Sequence, residues 1–328
     1  MFYRRSLIAA IALNLVLVAT PAYAQDRFII VASTTSAQDS GLFDYLLPIF
    51  KQKTGITVMV WAQGSGEALD TARRGKADVV LVHSKSAEEK FIAEGEGVKR
   101  FPVMYNEFVL IGPKDDPAGI KGMADAAKAF QVIKEKQACF VSRGDHSGTH
   151  IAELNLWRAA DTDIEKDGGP WYKSIGQGME SALNSANASN CYVLSDRGTW
   201  VHFKSKGDLR ILVEGDRRMF NQYVAIQVNP AKHPDVRKEL GQEFIDWLIS
   251  PDGQKTISDY KIDGQQLFYP DANEPNRLII WLTYQWAGFT GEFPGWADVI
   301  ALGVLLVALT TGFAAAKRRQ HRPSTVAR

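Results

Sequence analysis

The 328-residue sequence predicts an α/β fold built as two lobes, with the chain crossing between them twice. Two observations carry that expectation. Apolar runs of strand character alternate with segments of helical recurrence across short turns, the pattern of a mostly parallel sheet covered on both faces by helices. Two longer strand-like segments, 101–112 and 219–229, stand far apart and bracket a strand–helix set that is sufficient to form a lobe by itself.

Taken in order, 28–31 (FIIV) reads as a buried strand, and 40–54 carries apolar side chains at 42, 43, 46, 47 and 50, a helical spacing. A second strand at 56–61, a helix at 66–74, a strand at 77–82 and a helix at 86–94 follow, before the first crossing segment at 101–112. The bracketed set predicts a helix over 121–136, a strand at 138–142, a helix over 147–160 and a Gly/Pro break at 167–170. It continues with a helix over 171–186, a strand at 191–194, a helix near 197–204 and a strand at 209–213. After the second crossing, a helix over 233–249 and the segment to Pro270 return to the first lobe. The expected boundaries are therefore 25–112 and 219–271 for one lobe and 113–218 for the other, with the cleft bounded by strand ends.

Both chain ends read as targeting segments. Residues 1–24 have a basic start at Arg4 and Arg5, an apolar run, and Ala22-Tyr23-Ala24 before Gln25, which is the signal-peptide pattern. Residues 299–316 are 18 residues without a charge, enough to cross a bilayer. Lys317, Arg318, Arg319, Arg322 and Arg328 follow and place the 317–328 tail in the cytoplasm by the positive-inside rule. The stretch 272–298 between them is a linker or an interfacial segment. With 1–24 and the tail set aside, 31 basic residues face 37 acidic ones, which gives no support to nucleic-acid binding. Cys139 and Cys191 both fall in the exported part, where an oxidising compartment favours a disulfide. The six histidines form no metal-ligand spacing, and no cation site or cofactor is expected.

Four polar junctions follow strands. Ser33-Thr34-Thr35-Ser36 stands where a strand hands over to a helix, and Gly64-Ser65-Gly66 repeats the arrangement. In the second lobe, Ser142-Arg143-Gly144-Asp145-His146-Ser147-Gly148-Thr149 adds a guanidinium, and Ser195-Asp196-Arg197-Gly198 adds another. Helix N-termini offer free N–H groups and partial positive charge, hydroxyls add donors, and the planar guanidinium fork matches oxygens of an anion. Two junctions from each lobe thus predict one oxyanion site. Taken alone, each is equally a turn and cap, and Arg197 equally pairs with Asp196 or Glu180. His83, His146 and His150 read as turn or structural residues.

The chain resembles the tungstate-binding periplasmic components of ABC transporters, solute-binding proteins related to those for molybdate and phosphate. The resemblance is carried by STTSAQDSGLFDYLLPIF (33–50), GSGEAL (64–69), GKADVVLVH (75–83), VMYNEFVLIGPKDDPAG (103–119), SRGDHSGTHIAELNLW (142–157), YVLSDRGTW (192–200) and LFYP (267–270), across about residues 27–271. It implies a two-lobed, type II-like solute-binding fold, a monomer that closes on tungstate or molybdate, and delivery to a membrane permease driven by a cytoplasmic ATPase. It also implies a ligand set of Thr34, Thr35, Ser36, Ser65, Arg143, Ser147, Thr149 and Arg197. Two departures stand out: Ser33 where members often carry threonine, and the 272–328 extension, which implies a copy tethered to the inner membrane on its periplasmic side. Phosphate or another tetrahedral oxyanion is the alternative ligand, and a tethered oxyanion sensor the alternative role. A hydrolase is remote, because Gly64-Ser65-Gly66 is not a nucleophile elbow and no base is placed on a hydroxyl.

Overall fold

The computed structural model describes residues 27–272. Among these residues ten strands build the sheet: β1 (Phe28–Thr34), β2 (Thr57–Gln63), β3 (Val79–Val82), β4 (Gly97–Pro113), β5 (Phe140–Ser142), β6 (Tyr172–Ser174), β7 (Tyr192–Asp196), β8 (Leu209–Val213), β9 (Phe220–Val228) and the two-residue strand Tyr269–Pro270, antiparallel to β4. Their order is β2-β1-β3-β9-β4-β7-β5-β6, with β8 also on β4. β1 pairs in parallel with β2 and β3, and β5 in parallel with β6 and β7. β9 and β4 run antiparallel to their neighbours and join the two parallel sets, so the sheet is less parallel than the strand–helix alternation predicts.

β4 links the halves. Up to Glu107 it pairs with β9, and from Phe108 onward with β7 and then β8. The return is at Phe220, which opens β9 opposite Glu107. Each half has its own core on both faces, because alternate strand residues point to opposite sides. In the first half Ile29 and Val31 pack with Phe50, Phe244 and Phe268, while Ala32 and Val80 face Leu69 and Phe91. In the second, Leu110 and Phe140 meet Phe130 and Trp157, whereas Val109 and Val141 meet Leu183 and Trp200. The run Val79–Val82 is buried throughout, as a strand covered on both faces requires. A disulfide joins Cys139 to Cys191, immediately before the adjacent strands β5 and β7.

Local departures from the predicted elements have identifiable causes. The helix expected over 171–186 is the edge strand β6 followed by a helix Met179–Ser189. Gly176 at φ +64° and the extended Gly178 break the helical path between them. The helix expected from 121 starts at Ala126, where Asp125 accepts the Lys128 N–H. The helix expected from 233 starts at Lys238, after a turn in which the Lys232 and His233 N–H groups donate to the Asn229 carbonyl. Among the described residues no helix is long and apolar enough to cross a membrane. The segments 1–24, 299–316 and 317–328, and 272–298 apart from its first residue, lie outside the described residues.

Candidate functional site

Three strand ends deliver polar residues to the seam between the halves. β1 ends at Thr34, whose Oγ1 accepts the Ala37 N–H at 3.2 Å and caps the short helix Thr35–Asp39. That cap sets Thr35 and Ser36 in the first turn. β2 ends at Gln63, and the extended Gly64 opens the helix Ser65–Arg73, with the Glu67 carboxylate accepting from the Gly64 N–H. Beyond β5 the loop Arg143–His146 leads to Ser147, whose Oγ accepts the His150 N–H and caps the helix Gly148–Ala159. Gly144 has φ +61°, and a Cβ there would lie 1.8 Å from Ser174 Oγ, so the turn that aims Arg143 requires glycine.

Arg143 is 2% exposed and spans the seam. Its guanidinium donates to Thr35 Oγ1 at 3.0 Å and Ser36 Oγ at 3.1 Å in the first half, and to Thr149 Oγ1 at 3.5 Å and Asp145 Oδ2 at 2.5 Å in its own. A hydroxyl that accepts from arginine keeps its own proton to donate. Thr35, Ser36 and Thr149 are thereby turned into oriented donors. Across the same seam Gly64 faces the Asp145 carbonyl and Ser147, and a Cβ on Gly148 would stand 3.0 Å from Ser65 Oγ and 2.7 Å from the His83 ring. Ser65 Oγ and Arg143 Nε are buried and have no partner among the described residues. Such atoms are costly unless a ligand or water completes them.

The electrostatics match a site made of donors and not of net charge. Asp145 is occupied twice, by Arg143 and by the Ser147 N–H at 3.1 Å. Burial, reinforced by the Arg143 charge, pushes His83 down to about 3, so the ring is neutral. Its Nδ1–H donates to Asn221 Oδ1 at 2.8 Å. Asp196, fully buried, is pushed upward by desolvation and accepts from the Thr199 N–H and hydroxyl.

The structure therefore brings together Thr35, Ser36, Ser65, Arg143, Ser147 and Thr149. Arg197 is not brought into this cluster. Its guanidinium pairs with Glu107 at 2.6 Å and with Glu214, at the point where β4 changes partners. Two carboxylates on one guanidinium leave little positive charge for a ligand. Thr34 is engaged as a cap and Ser33 Oγ donates to the Leu81 carbonyl within the sheet. Sequence reasoning missed the placement of His83 and Gly148. A polar residue directly after the four apolar residues of β3, beside β1, was the available sign.

Residues 19–252 match the PBP superfamily domain. The tungstate-binding protein TupA of Peptoclostridium acidaminophilum is 45% identical over 248 residues, 74% of this chain and 86% of that protein. A tungstate-binding TupA structure from Desulfovibrio alaskensis G20 is 43% identical with a TM-score of 0.64, covering 75% of this chain and 99% of the other. The crystal structure of the tungstate ABC transporter from Geobacter sulfurreducens is 46% identical with a TM-score of 0.66, covering 71% and 98%.

Proposed function

The chain belongs to the PBP superfamily and, within it, to the family of the tungstate-binding TupA proteins, and from that premise we propose that it captures tungstate for an ABC importer. The observation that carries the reading is Arg143, buried at the seam and donating to hydroxyls of both halves. In this reading residues 25–112 with 219–271 and residues 113–218 are two lobes that close on the anion. Thr35, Ser36, Ser65 and Thr149 supply hydroxyl protons, and Arg143 supplies the charge. The N-terminus of the helix Gly148–Ala159 supplies backbone N–H groups next to Ser147. Arg197 ties the crossing strand β4 to the second lobe and is not a ligand in this reading.

Tungstate is fully deprotonated at neutral pH and is served by donors alone, whereas phosphate retains a proton and favours an acceptor. The carboxylate nearest the cluster, Asp145, already accepts from Arg143 and Ser147, which supports tungstate over phosphate. Molybdate, of the same shape and charge, competes. Titration calorimetry with tungstate, molybdate, sulfate and phosphate tests the assignment: one tungstate per chain is expected, and heat from phosphate only would overturn it.

The cleavage pattern near Ala24 and the apolar 299–316 support an exported body held at the periplasmic side of the inner membrane near its permease, with 317–328 inside. Tethering raises the effective concentration at the permease without changing affinity. Full-length protein is expected to fractionate with inner membranes and to lose its body to protease added to spheroplasts. Release by osmotic shock would contradict the tether.

A further inference from the structure

His83 directly follows β3 in the first half, and its ring is anchored from behind. Its Nδ1–H donates to Asn221 Oδ1 at 2.8 Å, and Asn221 Nδ2 donates to Asn106 Oδ1 at 2.7 Å. The two asparagines stand opposite each other on β9 and β4, just before β4 changes partners at Phe108. The imidazole is thus tied to both strands that cross between the halves, at the crossing itself. Tyr223 of β9 covers the ring at a centroid distance of 4.6 Å. His83, Asn106 and Asn221 are all buried, and hydrogen bonds shielded from water in this way hold their partners firmly in place.

The other side of the ring meets the second half. Gly148 opens the helix Gly148–Ala159, and a Cβ there would stand 2.7 Å from both Cε1 and Nδ1 of His83 and 3.0 Å from Ser65 Oγ. Gly148 is helical and has no positive φ, so no turn demands a glycine at this position. Within a helix glycine is less stable than alanine, and what it supplies here is the close approach of backbone to ring. Even a methyl group would find no room.

We propose that His83 is a positioning residue that sets how far the two halves close. Its ring is the stop on which the N-terminus of the helix Gly148–Ala159 comes to rest, and it fixes the distance between the donors of one half and those of the other. It touches no ligand. The proposal rests on the oxyanion-capture reading and adds a source of selectivity to it. Tungstate and molybdate are the larger tetrahedral oxyanions, sulfate and phosphate the smaller. Hydrogen bonds weaken steeply away from their optimal geometry, so a spacing suited to the larger ions leaves the smaller ones short of donors on one side. Without the stop the halves approach further, and the smaller ions gain relative to the larger.

The test titrates full-length wild type, His83→Ala, Gly148→Ala and the double variant with tungstate, and with sulfate in competition. Gly148→Ala is expected to weaken tungstate binding about tenfold to a hundredfold, the consequence of overpacking a rigid contact. Adding His83→Ala should recover most of that loss, because the ring is what the methyl group meets. His83→Ala alone should lower the tungstate-to-sulfate affinity ratio about tenfold, whereas a purely structural role would weaken both anions alike. His83→Asn keeps an N–H toward Asn221 in a smaller side chain and should lower the ratio in the same direction; it decides the matter where His83→Ala fails to fold. A double variant as weak as Gly148→Ala, or a ratio unchanged in His83→Ala and His83→Asn, would overturn the proposal. Wild type that binds phosphate and not tungstate would contradict the tungstate reading alone. The rescue of Gly148→Ala by His83→Ala, titrated with phosphate, would still decide the stop.

Discussion

Arg143 and Arg197 follow β5 and β7, which are adjacent parallel strands; Arg143 stands in the loop before the helix Gly148–Ala159, and Arg197 opens the helix Arg197–His202. In sequence they look alike. In the fold they have opposite company. Arg143 meets one carboxylate, itself shared with a backbone N–H, and three hydroxyls; Arg197 meets two carboxylates at the strand crossing. The difference teaches that an arginine surrounded by hydroxyls keeps charge available for an anion, whereas one neutralised by two carboxylates is committed to the framework.

The largest expected effect separates the two directly. Arg143→Ala removes a charge-assisted contact to a desolvated anion, and tungstate affinity should fall by about 2–5 kcal/mol in calorimetry, with thermal unfolding little changed. Arg197→Ala should do the reverse. It leaves the buried Glu107 without its cation, and the cost to stability is about 3 kcal/mol in denaturant titration, with affinity close to that of wild type. A tungstate affinity lost in Arg197→Ala and kept in Arg143→Ala would invert the comparison.

The distinction was only partly legible in the sequence. The strand-to-helix junctions at Thr35, Ser65 and Arg143 were readable because hydroxyls, glycines and a guanidinium sit at fixed offsets from apolar runs. The alternation of elements likewise gave the α/β class, and the exported position of Cys139 and Cys191 gave their pairing. What sequence could not show was which carboxylate meets which arginine. Glu107 and Glu214 lie 90 and 17 residues from Arg197; Glu107 reaches it from the point where β4 crosses between the halves, and Glu214 from the end of β8, which pairs with β4. The strand β6 was hidden for a similar reason: its partner β5 is distant in sequence.

A smaller effect sharpens the account of the hydroxyl side. Ser65→Ala should weaken tungstate binding by about 1–3 kcal/mol, as the loss of one donor from a buried site. It should leave stability unchanged or slightly raised, because Ser65 Oγ is buried and unpartnered among the described residues. Affinity equal to wild type would place Ser65 outside the ligand shell.

The mildest test asks whether acids behind Arg143 belong to its electrostatics. Glu153, on the helix Gly148–Ala159, accepts from Trp157 and Tyr172, and burial pushes it up to about 7. A raised carboxyl stabilises the fold below its unfolded value, and that contribution is lost as pH rises through about 7. The unfolding temperature should therefore decline from about pH 4.5 to about 7 and level off above that, and Glu153→Gln should reduce the slope without moving tungstate affinity. Buried Glu88, also raised to about 7, and Asp39, raised to about 6, contribute to the slope that remains.

The most direct measurement of the central claim is a crystal structure with tungstate, in which anomalous scattering locates the tungsten without reference to the protein model. The peak is expected at the seam, with the anion oxygens within hydrogen-bond reach of Thr35, Ser65, Arg143 and the N-terminus of the helix Gly148–Ala159. Arg197 should remain on Glu107 and Glu214. A peak bonded to Arg197, with Arg143 left on Asp145 alone, would contradict the account.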